Sequence, residues 1–191
     1  MPRLYRDRHR ARSHQHPSQL AGLIFDPATT IKDITWLRSV WKGPIVVKGI
    51  QSVEDAKAVA KLGVQGIILS NHGGRQFDRG PIPLEILPEV VKAVGSKVEI
   101  YIDGGVMSGL DALGAIALGA KAVFIGRAYL YGAMANGEAG VEQVIELMRR
   151  EFENGMHGLD LKNRNSSVAP AGTAQTAIGA SNPVRGRSGL R

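Results

Sequence analysis

The sequence predicts an α/β chain built on a parallel sheet. Short β-branched runs alternate with helical apolar patterns at intervals of about 20–30 residues, and four such strand–helix units follow one another. Glycines bound nearly every run. Chemistry-bearing side chains stand just after each strand, at the edge where alternating βα proteins build their sites. Two architectures fit four units: an open doubly wound sheet, or part of a (β/α)8 barrel. A complete barrel needs eight units and typically about 250 residues. A chain of 191 residues with four units and one preceding helix has room for half of one.

The elements follow in order. Residues 31–41, IKDITWLRSVW, place Ile31, Ile34, Leu37, Val40 and Trp41 at helical spacing. Pro44 opens IVVKGI, a run between Gly43 and Gly49 that suits a strand buried on both faces. Ser52 can cap a helix over Val53–Leu62, and Gly63 stops it. GIILS (66–70) reads as the second strand, and NHGGRQFDRGPI (71–82) as a glycine-rich loop. PLEILPEVVKAVG reads as a helix from Pro83 to Gly95, with Pro88 in its first turn or bending it. VEIYID (98–103) is the third strand, and GLDALGAIALGA the helix that Gly119 closes. AVFIG (122–126) is the fourth strand. A last helix spans about Val141 to Phe152, apolar at Val144, Ile145, Leu147 and Met148.

Composition limits the function. With no cysteine, a disulfide scaffold, thiolate metal sites and cysteine catalysis are excluded. A hydrophobic share of 43% excludes a wholly disordered chain. The net charge of +7 suggests an anionic partner until it is divided along the chain. Arg3, Arg6, Arg8, Arg10 and Arg12 stand against Asp7 near the start; Lys162, Arg164, Arg185, Arg187 and Arg191 stand against Asp160 near the end. The residues between are nearly neutral. The start has too few large apolar residues for an amphipathic transit helix and no interleaved aromatics for stacking bases. The end is rich in Ser, Ala, Gly and Pro. The expectation is a disordered basic arm over 1–20, a folded body over 21–158 and a disordered tail over 159–191. No nucleic-acid partner is expected. No apolar run reaches the roughly 18 residues of a membrane span, and no secretory core is visible.

At the strand ends, Lys48-Gly49 closes the first strand and Ser70-Asn71-His72-Gly73-Gly74-Arg75 the second. Asp103-Gly104-Gly105 closes the third and Gly126-Arg127 the fourth. Each has a plain alternative. Lys48 could extend to water, His72 could be a hydrogen-bonded structural histidine, and Asp103-Gly104-Gly105 could be a tight turn. Four such groups on one edge favour a site. The glycines admit a ligand to the backbone, Arg75 can grip a carboxylate with two bonds, and His72 can take a proton. In half a barrel, the third and fourth loops correspond to those that usually hold phosphate. Asp78, Arg79 and Lys121 read as surface charges. The set suits proton abstraction from a small acid coupled to a phosphate-bearing cofactor.

At these residues the chain resembles the FMN-dependent 2-hydroxy acid dehydrogenase/oxidase family. VVKGI (46–50), LSNHGGRQFD (69–78), IDGGV (102–106), ALGAKAVFIGRAYLYG (117–132) and GEAGV (137–141) match in order and spacing. The resemblance runs from about Ile24 to Met156, and the arm 1–17 carries no match. SNHGGR is highly specific, and the wording DGGVMSGLD and GRAYLYG is most similar to bacterial L-lactate dehydrogenases. The resemblance implies FMN as cofactor and a small 2-hydroxy acid as substrate, with lactate first. Lys48 would lie against the flavin N1–C2 edge and Ser70 would contact the ring. His72 would take the substrate hydroxyl proton and Arg75 would bind its carboxylate. Asp103 would hold the ribityl chain. Gly104, Gly105, Val106, Met107, Gly126 and Arg127 would surround the phosphate.

Two departures shape the expectation. Many members carry an arginine where this chain has Met107, so Gly126 and Arg127 would do more at the phosphate. The family's first four strands, with the aspartate that orients the histidine, have no counterpart before Ile24. The chain therefore resembles the last four units of a (β/α)8 TIM-type barrel. By itself it is expected to be weakly active or inactive, and to form a homo-oligomer or aggregate through its open edges. A cytoplasmic location is expected, peripheral at the membrane in electron-transfer relatives. The alternatives are a remnant that binds flavin or phosphate without turnover, or another FMN barrel such as a type 2 isopentenyl diphosphate isomerase.

Overall fold

The computed structural model describes residues 28–161. The expected arm 1–20 lies outside them, as does the expected tail 159–191 apart from its first three residues. The chain divides by contacts into two units, residues 1–42 and 43–191. In the first, helix α1 (Ile31–Val40) starts on a reciprocal cap: the Thr30 hydroxyl accepts from Lys32 N, and the Asp33 carboxylate accepts from Thr30 N. None of its residues is buried.

Among the described residues the second unit holds four parallel strands, β1 (Val46–Ile50), β2 (Gly66–Leu69), β3 (Glu99–Asp103) and β4 (Ala122–Phe124), in the spatial order β1-β2-β3-β4. Between them run α2 (Val53–Ala60), α3 (Pro83–Val94) and α4 (Gly109–Ala117), and α5 (Arg127–Gly158) follows β4. Ser52 and Ser108 cap α2 and α4 through their hydroxyls. Pro88 lies inside α3, in its second turn, so the first of the two expected alternatives does not hold.

Strand order decides between the two architectures. A doubly wound sheet reverses its order at a switch point and carries helices on both faces. Among the described residues the order is sequential and one face alone is covered. The register sets Val47, Ile67 and Ile100 side by side, and likewise Leu69, Ile102 and Val123. Of these, Ile67, Leu69, Ile100 and Ile102 are buried, against helix residues such as Val59, Leu87, Val90 and Leu113. The alternate residues Val46, Lys48, Glu99 and Phe124 are exposed on the opposite face. The sheet is therefore part of a (β/α)8 barrel, its outer face packed on helices.

Three expectations need correction. β1 is not buried on both faces: Val46 and Lys48 lie on the uncovered inner face of the sheet, and among its residues Ile50 alone is buried. β4 ends at Phe124, two residues before the expected Gly126. The last helix begins at Arg127 rather than about Val141 and runs to Gly158, broken at Asn136 and Gly137, where the backbone leaves helical angles. Gly132 and Gly140 touch across that break; a Cβ on either would meet the other's carbonyl oxygen within 2.5 Å.

Candidate active site

The site is assembled at the carboxyl ends of the strands. Lys48 sits next to a bulge, where Gly49 takes φ +99° and the pairing with β2 slips between Lys48 and Ile50. The residues of the inner sheet face bring Lys48, Ser70 and Asp103 together. The Lys48 ammonium lies 2.8 Å from Asp103 Oδ2 and donates to Ser70 Oγ at 3.1 Å. Ser70 Oγ in turn donates to Asp103 Oδ1. Ser70 is the only buried polar side chain among the described residues, at 1% exposure. Its hydroxyl is fully used, because a buried hydroxyl left unpaired would be costly.

After β2 the chain makes a tight turn, His72–Gly74, in three successive left-handed residues with φ of +55°, +66° and +72°. Glycine tolerates this conformation freely and histidine does not, so outside bonds must hold the turn. His72 N donates to Ser70 Oγ at 3.1 Å, and Gly73 N donates to Asn71 Oδ1 at 3.0 Å. Arg127 Nη2 donates to Gly73 O at 2.8 Å from the start of α5. The turn exposes the His72 and Arg75 side chains, neither of which has a hydrogen-bond or ion-pair partner among the described residues. Arg75 therefore presents a guanidinium whose donors remain available to an anion.

Between this turn and the ends of β3 and β4 lies an open cleft of about 500 Å³. Lys48, His72, Arg75, Asp103, Gly104, Gly105, Val106, Met107, Gly126 and Arg127 all line it. Ser70 lies beneath, bonded to Lys48 and Asp103. Every residue expected at the site is thus in or directly under one cleft. Gly104 and Gly105 adopt φ of +88° and +78°, which keeps this corner free of side chains. Nothing stands within 4 Å of a Cβ placed on Gly105 or on Gly126, so there is open space above both. With the N-terminus of α5 and the Arg127 guanidinium alongside, this corner has the donors and the room of a phosphate cradle. The residues present therefore fit a phosphate-bearing cofactor of FMN type.

Phe124, Ile125 and Leu130 also line the cleft and were not expected there. Phe124 could have been found from register: it pairs with Asp103 and so shares its face. Leu130 carried no such signal, because the residues between the fourth strand and Val141 are assigned to no element from sequence. The described residues hold no cluster of His, Cys, Asp or Glu able to bind a metal ion, and no helix long and apolar enough to cross a membrane.

Comparison with known proteins gives this cleft a family. A putative L-lactate dehydrogenase of Mycobacterium tuberculosis is 56% identical over 126 residues, which are 66% of this chain and 30% of that protein. The 2-hydroxyacid oxidase 1 of Mus musculus is 52% identical over 139 residues, 73% of this chain and 38% of the relative. Among solved structures, a flavocytochrome b2 variant with sulfite bound superimposes with a TM-score of 0.73 at 40% identity, over 80% of this chain and 42% of its own. The chain thus spans roughly a third of the length of these two curated relatives. The family described as FMN-dependent dehydrogenase matches residues 3–165, so the match takes in most of the arm 1–17 where none was expected. With the match covering most of its length and the barrel-type sheet beneath the cleft, the chain belongs to the FMN-dependent dehydrogenase family.

Proposed function

We propose that this chain carries the cofactor-facing and substrate-facing strand ends of an enzyme that oxidises a small L-2-hydroxy acid, lactate first, to the 2-oxo acid. The observation that carries the reading is the single cleft on which Lys48, His72, Arg75, Asp103 and Arg127 converge. Bound FMN would take up the electron pair and hydrogen from the substrate α-carbon. Arg75 binds the substrate carboxylate through two parallel N–H donors. His72 accepts the hydroxyl proton as the carbon–oxygen double bond forms. Lys48, held by Asp103 and Ser70, supplies a fixed positive charge where the cofactor becomes electron-rich. Asp103 offers its carboxylate to the ribityl hydroxyls. Gly104, Gly105, Val106, Met107 and Gly126 shape the phosphate corner, and Arg127 neutralises it.

The His72 imidazole has no hydrogen-bond partner among the described residues. A general base without an orienting carboxylate can lose about four orders of magnitude in rate. The chain by itself is therefore expected to bind FMN and turn over slowly. The test is to load the full 191-residue chain with FMN, remove the excess and add L-lactate without oxygen. Slow bleaching of the flavin, abolished in His72→Asn, is the expected result. A chain that fails to hold FMN overturns the cofactor reading. A loaded chain that no 2-hydroxy acid bleaches overturns the activity. Bleaching at the full rate of the relatives removes the need for an orienting partner.

A further inference from the structure

The phosphate corner and the catalytic turn are far apart in sequence, yet one side chain joins them. Arg127 opens α5 at the phosphate corner, and its Nη2 donates to Gly73 O, 54 positions earlier in the chain, at 2.8 Å. Gly73 lies so near the guanidinium that a Cβ there would stand 3.3 Å from Nη2. The bond lands at the centre of the three left-handed residues that carry His72 and lead into Arg75. An outside bond at that point holds a backbone conformation that histidine disfavours.

We propose that Arg127 is a positioning residue for the His72–Arg75 turn, and that an anion in the phosphate corner stiffens that turn through it. A guanidinium has five N–H donors in a rigid fork, and the bond to Gly73 uses one. The others remain for a phosphate, so the two engagements are compatible. An anion that fixes the guanidinium also fixes the carbonyl it holds. This rests on reading the corner as the seat of a cofactor phosphate. Filling the corner then prepares the turn that binds substrate and takes its proton.

Hydrogen exchange tests this directly, because all four turn amides have acceptors: His72 N on Ser70 Oγ, Gly73 N on Asn71 Oδ1, Gly74 N on Asn71 O and Arg75 N on His72 O. In the full chain, Arg127→Met is expected to speed exchange at residues 72–75 by about tenfold, the worth of one charge-assisted bond. Exchange in α3 and α4 should stay unchanged. Millimolar inorganic phosphate, at ionic strength matched with sodium chloride, should slow exchange at 72–75 in the parent chain and not in Arg127→Met. An arginine with a merely structural role would give the first difference without the second. Unchanged exchange in the variant, or no phosphate effect in the parent chain, overturns the proposal. If Arg127→Met loosens the whole chain, the parent's phosphate response decides alone. FMN retention is measured separately: a chain that responds to phosphate but does not hold FMN loses the cofactor reading and keeps this one.

Discussion

The two faces of the one sheet differ in almost every respect. The outer face, with Val47, Ile67, Leu69, Ile100, Ile102 and Val123, is apolar and packed beneath helices. The inner face carries Lys48, Ser70, Glu99, Tyr101 and Asp103, with Val46 and Phe124 about half exposed. Both are written in the same short strands, on alternate residues. Folding energy and chemistry are thus separated by the period of two. The outer face supplies the burial that holds the strands, and the inner face is left free to hold charge. On the inner face Tyr101 donates to Glu99, which raises its pKa, and meets Phe124 edge to face at 6.0 Å.

The sharpest way to break this contrast is to truncate one residue on each face. Leu69 is fully buried, so Leu69→Ala should cost about 2–5 kcal/mol through lost transfer energy and the cavity left behind. Phe124, 48% exposed, should cost only about 1 kcal/mol on change to Ala, mostly its edge contact with Tyr101. Urea unfolding midpoints of the two variants check this. Equal losses would mean that the inner face is also a folding core.

Ser70 tests the boundary between the faces. It belongs to the inner set but is as buried as the outer one. Ser70→Ala removes the acceptor of Lys48 and His72 N and the donor to Asp103. A loss of about 1–3 kcal/mol in unfolding free energy is expected, because the partners stay in place unpaired. A loss well below that range would show that water replaces the hydroxyl, and that the site's polar centre is wetter than its burial indicates.

That the candidate site's residues would gather at one sheet edge was legible before any coordinates, for a topological reason. In a parallel sheet every strand ends on the same edge, so the residues after four strands must meet whatever the details of packing. Lys48, His72, Arg75, Asp103 and Arg127 needed no more than that. Which face would be covered was not legible, since β1 reads as a buried run while its Val46 and Lys48 lie on the uncovered face. Nor was the start of α5. Its Tyr129, Leu130, Tyr131 and Met134 are all exposed, and Gly126, Gly132 and Gly137 punctuate it like a loop. Helical periodicity is visible in sequence where large apolar side chains fill the buried face, and here the buried positions are the small residues Ala128, Gly132 and Gly140. The central position of Ser70 was also hidden, because a serine at a strand end looks the same paired or free.

The helical layer over the outer face offers a smaller test. A Cβ on Gly109, at the start of α4, would stand 2.0 Å from Met148 O and 2.5 Å from Phe152 N, both backbone atoms of α5. Gly109 N also donates to Glu151 at 2.8 Å. Alanine would gain up to about 1 kcal/mol in helix propensity. The two helices must nevertheless part, and overpacking of this kind costs more than that, leaving a net loss of about 1–2 kcal/mol. A thermal midpoint equal to or above that of the parent chain would show that α5 moves aside freely.

The outward surface of α5 should contribute least, and its contribution should depend on pH. Glu146 accepts from Arg149 and Arg150, and Arg149 also reaches Glu153. The hydrogen bonds from Arg149, followed by its charge, hold the Glu146 carboxyl down at about 2 against an ordinary 4.5. A carboxylate with a lowered folded-state pKa stabilises fully above its unfolded value, and the effect fades as pH falls from 4.5 toward about 2. Glu146→Gln should therefore be slightly less stable than the parent chain at neutral pH, with the gap closing over that acid range. Salt should shrink the neutral-pH gap, because these groups are solvent-exposed and screened. A gap that persists unchanged below pH 2, or that ignores salt, would show that Glu146 acts through packing rather than charge. The outer layer's surface would then share in the burial that this comparison assigns to the covered sheet face alone.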